Sequence, residues 1–125
     1  MNFKRIVTFG LFPVTACIIA FISLYPKLPS LPIPWYLADK LYHLLAYMIL
    51  SGLAMIFFQK LLNRPLISAA VAAIACITWG GIIELVQPVT GRHCDFLDFL
   101  VNTAGVIFIC TLVLTINSAR SRRHA

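Results

Sequence analysis

Four apolar stretches, each long enough to cross a bilayer, predict an all-α protein: a four-helix transmembrane bundle with both termini in the cytoplasm. Three observations carry that expectation. First, the chain is 61% hydrophobic and 11% charged over 125 residues. One domain of this size has too much surface for its volume to hide that apolar content from water, so lipid is the natural solvent. Second, the basic residues sit in the short gaps between apolar runs and do not line one amphipathic element. That is a pattern of membrane topology, and it argues against a nucleic-acid partner despite the net charge of +6. Third, the breakers fall between the runs, with Pro26, Pro29, Pro32 and Pro34 after the first and Pro88 and Gly91 after the third.

The first span is Ile6–Leu24, interrupted only by Thr8, Thr15 and Ser23. It covers the roughly 30 Å hydrocarbon core at about 1.5 Å per residue. Val14-Thr15-Ala16-Cys17 has the look of a lipoprotein cleavage box, but the apolar run continues through Ile18–Ile22, where a polar tether would begin. An uncleaved helix is expected. The proline-rich stretch from Tyr25 to Ala38 then reads as an extended connector. Trp35 and Tyr36 have the amphipathic rings that settle at the headgroup level, ahead of a second span at Leu41–Phe58. Pro65 suits the first turn of a third span, Pro65–Val86. A loop, Gln87–Cys94, leads to the fourth span, Asp95–Ile116, and a basic tail of Arg120, Arg122 and Arg123 ends the chain. The whole of 1–125 reads as one domain.

Orientation follows from the basic residues. With both ends inside, the cytoplasmic segments hold seven: Lys4, Arg5, Lys60, Arg64, Arg120, Arg122 and Arg123. The outer segments hold three, Lys27, Lys40 and Arg92. The excess places both termini in the cytoplasm. Every carboxylate then falls toward the outer face. Asp39 opens the second span, Glu84 closes the third, and Asp95 and Asp98 open the fourth.

Helical spacing groups these residues. Asp39 and His43 are four apart, and Glu84 and Gln87 three apart, so each pair shares a face. Asp95, Asp98, Asn102 and Gly105 form one stripe into the fourth span. A polar stripe in hydrocarbon must face the bundle interior or a wet cavity. Ser68, Ala72, Cys76, Gly80 and Glu84 recur every four residues in the third span, and small residues at that interval admit a second backbone. The stripe aims Glu84 inward and makes the third helix the expected central one. Four carboxylates against Lys40 and Arg92 leave the cluster at −2 with histidines neutral, so either some carboxylates hold a proton or a cation or cationic ligand completes the balance.

Each element also has a plain structural reading. Asp39 and Asp95 lie where helix N-termini are capped. Lys40 can snorkel to the interface, His43 and Asn102 can bridge helices, and Arg92 can pair with Asp98 or Glu84. Ionisable groups inside a membrane are costly and usually functional, which weights Glu84, Arg92 and Asp98 toward a site.

Taken together, Asp39-Lys40-x-x-His43, Ile83-Glu84-Leu85-x-Gln87, and Gly91-Arg92-x-x-Asp95-x-x-Asp98-x-x-x-Asn102-x-x-Gly105 resemble the VanZ-like family of small bacterial membrane proteins. The resemblance covers most of the chain from the second span onward and leaves the first span and the tail without a motif. It carries the family positions onto Asp39, Lys40, His43, Glu84, Gln87, Arg92, Asp98, Asn102 and Gly105. Asp95 matches a position acidic in part of the family, and Pro88 stands upstream of where a proline often neighbours the loop arginine. The resemblance implies a helical domain in the bacterial inner membrane and a role in the cell envelope. The name-giving member is linked to low-level teicoplanin resistance.

The expected function is binding or processing of an envelope component at the outer leaflet, with a lipid-linked or peptidoglycan-related ligand. Asp39, Lys40, Gln87, Arg92, Asp95, Asp98 and Asn102 would bind it, Arg92 through a planar fork suited to phosphate or carboxylate. Glu84 and His43 are the candidate general bases. A metal site is a second reading, since Asp39, His43, Glu84, Asp95 and Asp98 supply N and O ligands, though without a close motif such as HExxH. A membrane scaffold whose polar cluster only fixes packing is a third. A proton or solute path fits poorly, because the inner halves of the spans are apolar. The cysteines form no CxxC; Cys17, Cys76 and Cys110 lie in apolar runs, where a thiol acts as a small hydrophobe.

Overall fold

The computed structural model describes residues 3–25 and 34–123. Among them the chain is helical throughout its ordered elements and forms four helices: α1 (Phe3–Leu24), α2 (Trp35–Leu62), α3 (Pro65–Val86) and α4 (Phe96–Arg123), with a 3₁₀ turn at Gln87–Thr90 after α3. The all-α, four-helix architecture expected from the sequence is the one observed. Stretches containing α2, α3 and α4 are each long and apolar enough to cross a membrane, whereas the apolar part of α1, Phe9–Leu24, is shorter. Most of the proline connector, with Pro26, Lys27, Pro29 and Pro32, lies outside the described residues, as does His124.

The helices overrun the expected spans. α2 begins at Trp35, six residues before Leu41, because Pro34 (φ −50°, ψ 128°) is the last extended residue and nothing after it breaks a helix. It stops at Asn63, whose φ of 50° is left-handed and whose N–H bonds back to Gln59 O. Pro65 stands in the first turn of α3 as expected. α4 continues to Arg123, so the basic tail is helical. Three arginines in its last turns favour this end, where the carbonyl dipole is negative. Hydropathy marks what lipid covers, and a helix is free to outlast it at both ends.

Neighbours in sequence run antiparallel. The C-terminal end of α1, the N-terminal end of α2, the end of α3 and the start of α4 therefore meet at one end of the bundle. At the other end Phe12 packs on Phe57 and Phe58, with centroids 5.4 Å and 5.9 Å away. α1 packs on α2 and α3 and leaves α4 untouched. Both α2 and α3 touch all three other helices, but α2 makes the larger interfaces, its broadest being with α4. The expectation that α3 is the central helix is corrected accordingly. α3 is slender, as its alanines require, and a slender helix offers less surface than α2 with Tyr47, Leu50 and Met55.

The interior mixes small and polar side chains with a few large ones, Tyr47, Leu50 and Met55, and the exterior is large and apolar. α3 buries Ser68, Ala72, Cys76, Gly80 and Glu84, the stripe read from the sequence. α4 buries Asp98, Asn102, Gly105, Val106 and Cys110. Outward, Leu41, Leu45, Ile49 and Ile56 of α2 and Ile107, Phe108 and Leu112 of α4 are exposed, a surface suited to lipid. Small residues inside let the backbones approach. A Cβ on Gly105 would stand 3.0 Å from Leu44 O, and one on Gly80 would stand 3.0 Å from the Tyr47 ring.

Gly105→Ala is therefore expected to destabilise the bundle by about 1–3 kcal/mol, the range for overpacking, because a backbone carbonyl cannot step aside. Gly80→Ala falls below it, since the Tyr47 ring can tilt. Gly10, with nothing within 4 Å of a built Cβ, should accept alanine without loss. Thermal melting in detergent ranks the three, and equal melting temperatures would contradict this packing.

Candidate functional site

The end of the bundle where all four helices converge holds every carboxylate of the chain. α2 supplies Asp39, Lys40 and His43, which share its inward face within four residues. α3 carries Glu84 two residues before its end at Val86 and passes at once into the 3₁₀ turn, which seats Gln87. Gly91, with a φ of 82°, turns the chain back toward α4. Arg92 follows immediately, and Asp95 precedes the first residue of α4. Glu84 is 3% exposed, Gln87 0%, Asp98 2% and Asn102 2%, so the polar groups read from the sequence do lie inside the protein.

The charges pair across helices. Arg92 bridges two partners: Nη2 donates to Asp39 Oδ1 at 3.0 Å and Nη1 donates to Ser23 O at 2.9 Å. Its expected partners, Asp98 or Glu84, are corrected to Asp39 and the end of α1. Asp39 is not a cap, because α2 starts four residues earlier and its N-cap, Pro34, makes no side-chain bond. Lys40 does not snorkel. It is largely buried, donates to Asp95 Oδ2 at 2.5 Å and also to Asp98 Oδ1, and stands 5.1 Å from the Tyr36 ring centroid. Asp95 is both cap and ion-pair partner: its Oδ1 accepts from Leu97 N–H at 2.9 Å.

Behind these pairs lies a second layer. His43 Nδ1 is 3.1 Å from Asn102 Oδ1 and 3.8 Å from Glu84 Oε1, and His43 Nε2 is 3.6 Å from Asp98 Oδ2. The Gln87 amide has two orientations. In one, Nε2 donates to Ser23 O at 3.4 Å. In the other it donates to Glu84 Oε2 at 2.8 Å and His93 O at 3.2 Å. We assign the second, because it gives two shorter bonds and Ser23 O already accepts from Arg92. Glu84 Oε1, Asn102 Nδ2 and Tyr47 Oη, all buried, have no hydrogen-bond partner among the described residues.

Two cavities reach this cluster. A polar chamber of about 250 Å³ opens at the bundle end between Trp35, Asp39, Arg92, His93, Asp95 and Asp98. An apolar cleft of about 130 Å³ lies between α1 and α2, walled by Ile19, Ile22, Tyr42 and Ala46, and ends on Asp39, His43 and Arg92. The Asp39–Arg92 pair borders both. All nine residues singled out from the sequence are in this end of the bundle. Two contributors were missed. Ser23 acts through its backbone carbonyl, which has no sequence signature. Tyr42 sits among apolar residues, where an aromatic reads as packing. Cys94 is exposed beside the site, and Cys76 and Cys110 are buried in the core.

Comparison of the chain with protein-family models, with curated proteins and with solved structures finds no match in any of the three.

Asp95 titrates outside the membrane-spanning helices. Its hydrogen bond from Lys40, and then that from Leu97 N–H, hold its carboxyl below the ordinary value of 3.8. A lowered native pKa stabilises the fold above the unfolded value and loses that contribution as pH falls through the native one. The stability gap between wild type and Asp95→Asn, which keeps a capping side chain, should be full above pH 3.8, shrink below it, and narrow with added salt. Melting curves across acid pH read this, and a gap that widens on acidification would contradict it.

Proposed function

We propose that this chain is a cell-envelope membrane protein that binds an amphiphilic envelope component, with the polar site at the outer face of the bacterial inner membrane and both termini in the cytoplasm. One observation carries the reading: a polar chamber and an apolar cleft meet at a single ion pair, Asp39–Arg92. A ligand with a polar head and a hydrocarbon tail matches both at once, the head among Lys40, Arg92 and the carboxylates, the tail along Ile19, Ile22 and Ala46. Arg92 offers a planar fork for phosphate or carboxylate. Of the two candidate bases, His43 borders the cleft and Glu84 stands behind it, so proton transfer at this site would run through that pair. The VanZ-like resemblance, carried by the residues from Asp39 to Gly105, supports an envelope role and a link to glycopeptide susceptibility. The basic-residue asymmetry supports the orientation.

Expressed in a bacterial host, the protein should alter susceptibility to teicoplanin-type or other envelope-directed drugs. Glu84→Gln and Arg92→Ala should abolish that change while still inserting and retaining a cooperative melt. Full retention of the phenotype in both would refute the reading, and loss of the melt in both would point to a scaffold whose cluster only holds helices together. Orientation has its own readout. Cys94 is exposed beside the site, so a membrane-impermeant thiol reagent should label it on intact cells. Labelling only after lysis would reverse the topology.

A further inference from the structure

Asp39 and His43 of α2 and Asp98 of α4 each bring one donor atom within 4.8 Å of the other two. A cluster of this kind can be a set of ion pairs and nothing more. The geometry around His43 separates the two cases. Its Nδ1 faces two oxygen acceptors, Asn102 Oδ1 at 3.1 Å and Glu84 Oε1 at 3.8 Å. The proton of a neutral ring therefore sits on Nδ1, and the lone pair on Nε2. That lone pair faces Asp98 Oδ2 at 3.6 Å, beyond hydrogen-bond reach. His43 is 5% exposed and its Nε2 makes no hydrogen bond among the described residues, so in the neutral ring a lone pair points at the Asp98 carboxylate. Two ligands of one tetrahedral ion with bonds of about 2.1 Å stand about 3.4 Å apart, close to this separation.

Each of the three groups is also held from behind, as metal ligands are. Asp98 gives Oδ1 to Lys40 and keeps Oδ2 for the centre. Asp39 gives Oδ1 to Arg92. His43 is held by the amide oxygen of Asn102 at 3.1 Å, the kind of support from behind that orients a ligating imidazole. The formal charge agrees: four ionised carboxylates against Lys40 and Arg92, with His43 counted neutral, sum to −2, which one divalent ion cancels.

We propose that Asp39, His43 and Asp98 bind one divalent transition ion of the Zn²⁺ or Mn²⁺ type. Two carboxylates and an imidazole form a mixed O/N set that suits such an ion better than Ca²⁺, which prefers oxygen throughout, or a soft ion, which prefers thiolate. Three protein ligands leave a coordination position open. Asp39 and Asp98 both line the polar chamber, so an ion held by them would be reachable from it. The ion would take the Nε2 lone pair of His43 and leave Glu84 as the free base. This inference stands whether or not an amphiphile binds, and its test reads metal alone.

The full chain, purified in detergent and stripped with a chelator, is titrated with Mn²⁺ and separately with Zn²⁺. One ion per chain should bind saturably and raise the melting temperature with concentration. His43→Gln should weaken binding at least tenfold. Asn102→Ala, which removes only the partner of Nδ1, should weaken it by about 10–100-fold. Lys60→Gln, at the far end of α2, should bind as wild type does. Should His43→Gln fail to fold, Asp39→Asn, at the chamber wall, reports the same loss. Absence of saturable binding of both ions to the wild-type chain, or wild-type affinity in both His43→Gln and Asp39→Asn, overturns the proposal.

Discussion

Hydrocarbon does not solvate charge, and the architecture at the polar end of this bundle follows from that constraint. A buried carboxylate without a partner costs far more than one helix contact returns. Each ion pair here consequently joins different elements: α2 to the loop through Asp39 and Arg92, and α2 to the start of α4 through Lys40, Asp95 and Asp98. None of these pairs lies within a single helix. The elements are held in register by charges that have nowhere else to go, and α1, which has no carboxylate, is fastened through a backbone carbonyl.

The same solvent inverts the usual division of side chains. Large apolar residues gain nothing from facing inward when lipid is as apolar as they are, so packing between backbones takes over. Gly80 and Gly105 mark where that packing is closest, one against an aromatic ring and the other against a main-chain oxygen. Both lie near the polar cluster: Gly80 is one turn from Glu84 and Gly105 one turn from Asn102. Close approach and charge pairing therefore reinforce each other at one depth, which keeps the cavity walls fixed.

Much of this was legible in the sequence, and particular residues show why. The stripe Ser68–Glu84 announces itself because small residues every four positions have one geometric meaning. Asp98, Asn102 and Gly105 are legible for the same reason. Pairing was not. Four carboxylates and two cations permit many matches, and only distances between helices select Arg92 with Asp39 over Arg92 with Glu84 or Asp98. Helix ends were misjudged where hydropathy and hydrogen bonding diverge: Trp35–Lys40 is too polar for a membrane core yet contains no breaker. Slenderness alone does not make a helix central: contact area belongs to the helix with larger inward residues, α2.

The placement of every acidic residue at one end has an electrical consequence. Of ten basic residues, Lys40 and Arg92 belong to the cluster, which leaves eight. Lys27 falls in the connector; the other seven, by chain order, lie at the start of α1, the α2–α3 turn and the end of α4. No Asp or Glu lies among them. The molecule is thus polarised along its long axis, negative where the cavities open and strongly positive at the opposite pole. One allocation of charge both furnishes the pocket and gives the bundle two unlike ends.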